Sequence, residues 1–143
     1  MKKIIIYGGS FNPFHKGHEA IVISCLRLNG YDEVWIMPSA RRSDKPTLLS
    51  DAIRLEMLKL YIDQLDISKE RLKVSDFEIK LGAPSETIRT YKALESVYPD
   101  YIFTFVFGND AIIDMPKWRR GHELMRDLRV LIVTRIDCNY LLK

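Results

Sequence analysis

Lys3-Ile4-Ile5-Ile6-Tyr7-Gly8-Gly9-Ser10-Phe11-Asn12-Pro13-Phe14-His15-Lys16-Gly17-His18 carries the chain from an apolar run, through a glycine pair, into the start of a helical pattern. An apolar run ending in Gly8-Gly9 reads as a first strand buried on both faces, followed by a turn where backbone can come close to a ligand. Pro13 stiffens that turn. A helix start offers unpaired N–H groups and about half a positive charge to whatever lies before it. With His15 and His18 three residues apart on the first turn, the segment is expected to bind a polyanion. It is neither of the commoner phosphate loops, since Gly-x-Gly-x-x-Gly and Gly-x-x-x-x-Gly-Lys-Ser/Thr are both absent. Two other readings stay open. The histidines could ligate zinc, but the remaining histidine is His122 and Cys25 and Cys138 have no Cys-x-x-Cys spacing. The stretch could also be a purely structural turn.

Outward from this point, apolar runs at Lys3 to Tyr7, Glu33 to Met37, Leu72 to Phe77, Tyr101 to Phe107 and Leu128 to Val133 predict five strands. Helical periodicity lies between them. It covers His18 to Asn29 with Gly30 as C′ glycine, and Asp51 to Leu65 with Ser50 or Asp51 as N-cap. On the latter, Ile53, Met57, Leu60, Tyr61 and Leu65 form the expected apolar face. Ile88 to Tyr98 is a third helical stretch, and Ala111 to Met125 divides into two short helices at Pro116. Strands alternating with helices predict an α/β fold, a Rossmann-like doubly wound parallel five-stranded sheet with helices on both faces. Ligands of such sheets bind beyond the C-terminal strand ends.

The 143 residues are read as a single domain, residues 1–143. Apolar residues make up 47% and charged ones 29%, which suits a globular chain and excludes disorder. The net charge of +3 is too small to imply nucleic acid. Met1-Lys2-Lys3 precedes too short an apolar stretch for a signal peptide or membrane span. Two cysteines in separate elements fit a reducing cytoplasm. A homo-oligomer is left open.

Further candidates fall at strand ends. Arg41, Arg42 and Lys45 share the loop after Met37-Pro38-Ser39, and Lys117, Arg119 and Arg120 share another. Lys45 suits a polyphosphate, and Arg54 on the next helix could fork onto phosphate oxygens. Ser85 and Thr87 sit at a predicted helix start, Asp110 comes after Gly108 where a carboxylate suits ribose hydroxyls, and Trp118 could stack on a planar ring.

Residues 8 to 18 resemble the Gly-Gly-Ser/Thr-Phe-Asp/Asn-Pro-x-His-x-Gly-His signature of Rossmann-like nucleotidyltransferases. With Met-Pro-Ser, Lys45, Arg54-x-Glu-Met-Leu, Ser85-x-Thr87 and Gly108-x-Asp110 through Pro-Lys-Trp, nearly the whole chain is similar, in order, to the bacterial nicotinate mononucleotide adenylyltransferase family. Pro-Lys-Trp with the Glu-Leu after it separates it from phosphopantetheine adenylyltransferase, as does His15 where that family usually has Thr. The resemblance implies adenylyl transfer from ATP, accompanied by Mg²⁺ and with no metal held by the protein itself, to a pyridine mononucleotide. It implies His15, His18 and Lys45 as catalytic residues. Gly8, Gly9, Ser10, Phe11, His15, His18, Gly108, Asp110 and Arg135 would bind ATP. Asn12, Lys45, Arg54, Ser85, Thr87 and Trp118 would bind the acceptor. Departures are Asn12 for the commoner Asp, Asn109 for Ala, and Glu86 for a frequent aromatic, the last bearing on nicotinate against nicotinamide. The family's Ser/Thr-Ser/Thr-x-Ile/Val-Arg segment does not occur in these residues, so weak ATP binding is expected. Two alternatives remain: a nucleotide-binding relative without catalysis, and a transferase with another acceptor such as nicotinamide mononucleotide or phosphopantetheine.

Overall fold

The computed structural model describes residues 1–40 and 49–133. Five strands, β1 (Lys2–Gly9), β2 (Glu33–Pro38), β3 (Leu72–Val74), β4 (Tyr101–Gly108) and β5 (Arg129–Val133), form one sheet in the order β3-β2-β1-β4-β5. Every pairing is parallel. The helices are α1 (Lys16–Leu26), α2 (Asp51–Asp63), α3 (Phe77–Leu81), α4 (Thr87–Val97), α5 (Asn109–Asp114) and α6 (Gly121–Asp127), with a 3₁₀ turn at Met115–Lys117. This is the expected Rossmann-like architecture, in which strand order reverses at β1.

Alternation along the central strands builds a core on each face. Ile5, Tyr7, Val34, Ile36 and Val106 meet Val22 and Cys25 of α1 and Leu58 and Ile62 of α2. Ile4, Ile6, Trp35, Met37, Phe103 and Phe105 meet Ile88 and Leu94 of α4 and Leu124 of α6. Each fully buried isoleucine of β1 contributes about 1.5–3 kcal/mol of apolar transfer. Gly121 permits the tight return after the 3₁₀ turn, because a Cβ there would lie 2.0 Å from the Met115 carbonyl oxygen.

Several local expectations are corrected. The third strand stops at Val74 because Ser75 turns the chain, its hydroxyl accepting the Phe77 N–H ahead of α3. The first helix begins two residues earlier than expected and ends at Leu26, so Gly30, with φ +92°, serves the turn into β2 and not the C-cap. On α2 the buried stripe is Arg54, Leu58 and Ile62, while Ile53, Met57 and Leu60 face outward. The stripe begins with a charged residue, which hides its period in the sequence.

Candidate active site

The first turn of α1 is capped by its own histidines. His15, the N-cap residue, accepts the Gly17 amide on Nδ1 at 3.1 Å, and the His15 amide donates to His18 Nδ1 at 3.0 Å. Both contacts place the ring proton on the opposite nitrogen, since an Nδ1 that accepts a backbone N–H cannot also carry a proton. The two rings stack with centroids 3.8 Å apart, and their Nε2–H edges are the remaining donors. Gly17 is what lets His15 fold back, because a Cβ there would stand 2.9 Å from His15 Cε1. The sequence leads one to expect open amides at this helix start, yet the amides of Gly17 and His15 are satisfied by imidazole and the donors have moved outward to Nε2.

His18 is half-buried among Tyr7, Phe11 and Phe14. Burial, and secondarily the neighbouring His15, bring its pKa down to about 4, so it is neutral at physiological pH. Phe11 adopts a left-handed φ of 47° with its ring buried at 3% exposure, so it can meet a ligand only through its backbone. Such a conformation costs a non-glycine residue about 1–3 kcal/mol and is held by the surrounding packing.

Arg54 lies on the helix after β2, as the sequence reading has it, but its guanidinium is engaged within the protein. It is fully buried, and it donates to Leu49 O, Ser10 O, Ser39 O and the Asp51 carboxylate at 3.0, 2.7, 2.8 and 2.6 Å. Its fork therefore braces the glycine turn and the end of β2 from beneath, leaving little of it for substrate phosphate. Asn12 is engaged too, its Oδ1 accepting the Leu49 amide at 2.9 Å. Lys45 and Arg135 lie outside the described residues.

Beside the glycine turn, over the C-terminal ends of β1, β2 and β4, is a cavity of ≈ 190 Å³. Gly8, Gly9, Ser39, Ser85, Thr87 and Phe107 line it, so the sequence-predicted Ser85 and Thr87 do converge with the glycine pair. Pockets for whole drug-sized ligands run to about 300–1,000 Å³, so this one has room for a single ring. Trp118 packs edge-to-face on Phe107 at 5.5 Å, which places its indole beside that cavity wall. Asp110 is exposed on the first turn of α5, after Gly108 at the end of β4.

The cavity also contains a residue that sequence reasoning misses. Glu78 of α3 hydrogen-bonds the hydroxyls of Ser85 and Thr90 and the amide of Ala40, with Arg54 nearby. Burial raises its pKa, and those partners work against the rise. Its local signal is weak: one acid in the short segment Phe77-Glu78-Ile79-Lys80-Leu81, which overlaps the end of the expected third strand. Among the described residues no group of three or more His, Cys, Asp or Glu could hold a metal ion.

The cytidylyltransferase-like family profile matches residues 6–141. Proteins named probable nicotinate-nucleotide adenylyltransferases are similar along almost the whole chain. That of Synechococcus sp. is 37% identical, covering 95% of this chain and 65% of its own length. That of Bacillus licheniformis is 34% identical, covering 94% and 70%. The chain belongs to the cytidylyltransferase-like family, alongside the nicotinate-nucleotide adenylyltransferases. It spans about two thirds of the length of these curated relatives. Plasmodium falciparum nicotinic acid mononucleotide adenylyltransferase, solved in complex with NaAD, shares the fold with a TM-score of 0.79 at 24% identity, covering 94% of this chain and 75% of that one. No described helix is long and apolar enough to cross a membrane.

Proposed function

We propose that the chain transfers the adenylyl group of ATP to the 5′-phosphate of nicotinate mononucleotide. An acceptor phosphate oxygen attacks the α-phosphorus in line, a new P–O bond forms, and the bond to the β-phosphate oxygen breaks to release pyrophosphate. No covalent intermediate on the protein is needed. Catalysis is then positioning and electrostatic stabilisation of the phosphoryl charge.

The observation that carries this reading is the juxtaposition, at one strand-order reversal, of two imidazole Nε2–H donors on α1 with a ring-sized cavity. His15 and His18 would donate to phosphate oxygens through their Nε2–H edges. Gly8, Gly9, Ser10 and the Phe11 backbone would line the ATP path, with Gly108 and Asp110 at the ribose and Lys45 and Arg135 at the polyphosphate. The pyridine ring would enter the cavity beside Trp118, Ser85 and Thr87, with Asn12 and Lys45 toward the acceptor phosphate.

The start of α4 supports nicotinate over nicotinamide. Among the described residues no side-chain cap is made there, and Thr87 at its first position lines the cavity, so its amides would be open to a carboxylate. Glu86, whose charge would oppose that carboxylate, is instead paired with Arg119 at 3.3 Å. Mg²⁺ carried by the triphosphate would supply charge neutralisation. The separated cysteines suit action in the cytoplasm.

The test is pyrophosphate release with ATP and, in parallel, nicotinate mononucleotide, nicotinamide mononucleotide and phosphopantetheine. Turnover with nicotinate mononucleotide in preference to the others is expected. Preference for another acceptor, or ATP binding without release, overturns the assignment.

A further inference from the structure

The acceptor cradle brings the stretch from α3 to the first turn of α4 against the end of β2. Ser85 precedes α4, Thr90 lies on its first turn, and Ala40 comes after β2; all three donate to the single carboxylate of Glu78 on α3. Ser85 and Thr90 also line the cavity, so Glu78 grips the open start of α4 from both sides. A hydroxyl that gives its proton to a carboxylate presents only lone pairs elsewhere. The donors left at this helix start are then its uncapped amides and the hydroxyl of Thr87, which also lines the cavity. Behind Glu78 stands Arg54, whose fork holds Ser10 and Ser39.

We infer that Glu78 is a positioning residue for the acceptor: by holding Ser85, Thr90 and Ala40 on one carboxylate it fixes where the amides of α4 meet the pyridine ring. It acts through these groups and not on the reacting phosphates, which lie toward α1. The inference rests on the proposed acceptor, and it makes a distinct claim: losing Glu78 weakens the acceptor and spares ATP.

Calorimetric titration of nicotinate mononucleotide and of ATP, each alone, into the wild-type chain, Glu78→Gln and Thr90→Val tests it, with the melting temperature of each variant recorded. Gln keeps the shape but offers one carbonyl acceptor where the carboxylate offered two oxygens. The expected result is about tenfold weaker mononucleotide binding for Glu78→Gln, the scale of a lost charge-assisted hydrogen bond, with ATP affinity within about twofold. Thr90→Val removes one donor at constant volume without touching Glu78, and should weaken the mononucleotide by roughly threefold, again sparing ATP. If Glu78→Gln does not fold, Thr90→Val alone decides by the same split. Equal loss for both ligands, or none for the mononucleotide, overturns the inference while wild-type binding upholds the acceptor. Failure of the wild-type chain to bind nicotinate mononucleotide overturns the acceptor reading and the inference with it.

Discussion

The two helix starts on the crest are finished in opposite ways. At α1 the amides of His15 and Gly17 are satisfied within four residues, because His15 and His18 cap the turn and pass its donor capacity outward to their Nε2–H edges. At α4 the N-cap Glu86 makes no cap; the start is tied by Ser85 on Glu78 of α3 and by Arg89 of its own first turn, which donates to Leu81 O, Gly82 O and Pro84 O. A locally closed start is robust and can present side-chain donors to a mobile triphosphate. An open start can give backbone donors to a small anionic group only if something distant holds it still. The difference sorts the residues of the site into those that act by touching ligand and those that act by holding the scaffold.

The largest effect is expected where the two starts share a foundation. Arg54→Met removes the donors to Ser10 O, Ser39 O and Leu49 O together and leaves Asp51 without this ion-pair partner. Breaking such a buried network costs about 3–5 kcal/mol. Chemical denaturation should therefore show a marked fall in the unfolding midpoint. A variant as stable as wild type that has lost only ligand affinity would return Arg54 to the phosphate site.

At α1 itself, His18→Ala should lower turnover by roughly a hundredfold, about 3 kcal/mol in the barrier, the scale of one preorganised donor. Stability should fall by only about 1 kcal/mol for the lost backbone contact. The same residue has a pH signature. Its folded-state pKa is depressed from 6.5 to about 4, so the unfolded chain binds this proton more readily than the folded one. Its contribution to stability is complete above pH 6.5 and is lost as the pH falls toward 4. His18→Gln should flatten that part of the stability profile, and an unchanged slope would show that the acid sensitivity arises elsewhere.

How much of this can be read in the sequence obeys the same division. The strands β1, β2, β4 and β5 and the place of the α1 turn are legible, because each is specified by neighbours in the chain: a continuous apolar run, a glycine pair, histidines three apart; the capping of its amides by imidazole is not. The sequence overextends β3, since Ser75 ends it through a side-chain contact that residue types alone do not announce. Arg54 reads as a substrate ligand because an arginine near a strand end looks like a phosphate binder; its carbonyl partners lie up to 44 residues away. Glu78 is invisible for the same reason, as its partners sit on three segments.

A smaller effect should separate geometry from charge at α1. Gly17→Ala puts a methyl 2.9 Å from His15 Cε1, so the exposed ring must swing away and surrender the Gly17 amide. The loss is about 1 kcal/mol of helix capping. ATP affinity should fall several-fold while nicotinate mononucleotide affinity holds. Loss of both together would mean that the turn shapes the acceptor site as well.

The smallest effect belongs to the ion pair between the N-cap residue of α4 and the residue after Trp118. Glu86 and Arg119 meet at 3.3 Å, linking the start of α4 to the residue after Trp118, and the Arg119 side chain is 73% exposed. Exposed pairs of this kind contribute about 0–1 kcal/mol and weaken with salt. If Glu78 is what holds α4, Arg119→Ala should leave the melting temperature nearly unchanged and alter mononucleotide affinity by less than about threefold, a difference that should vanish in high salt. Removing Arg119 also leaves Glu86 unpaired beside the expected pyridine carboxylate, so the residual change should be a weakening for nicotinate mononucleotide and none for the neutral carboxamide. A large, salt-independent loss for both would instead make the ion pair the main fastening of the cradle, and the comparison between the two helix starts would have to be redrawn with α4 closed from the surface.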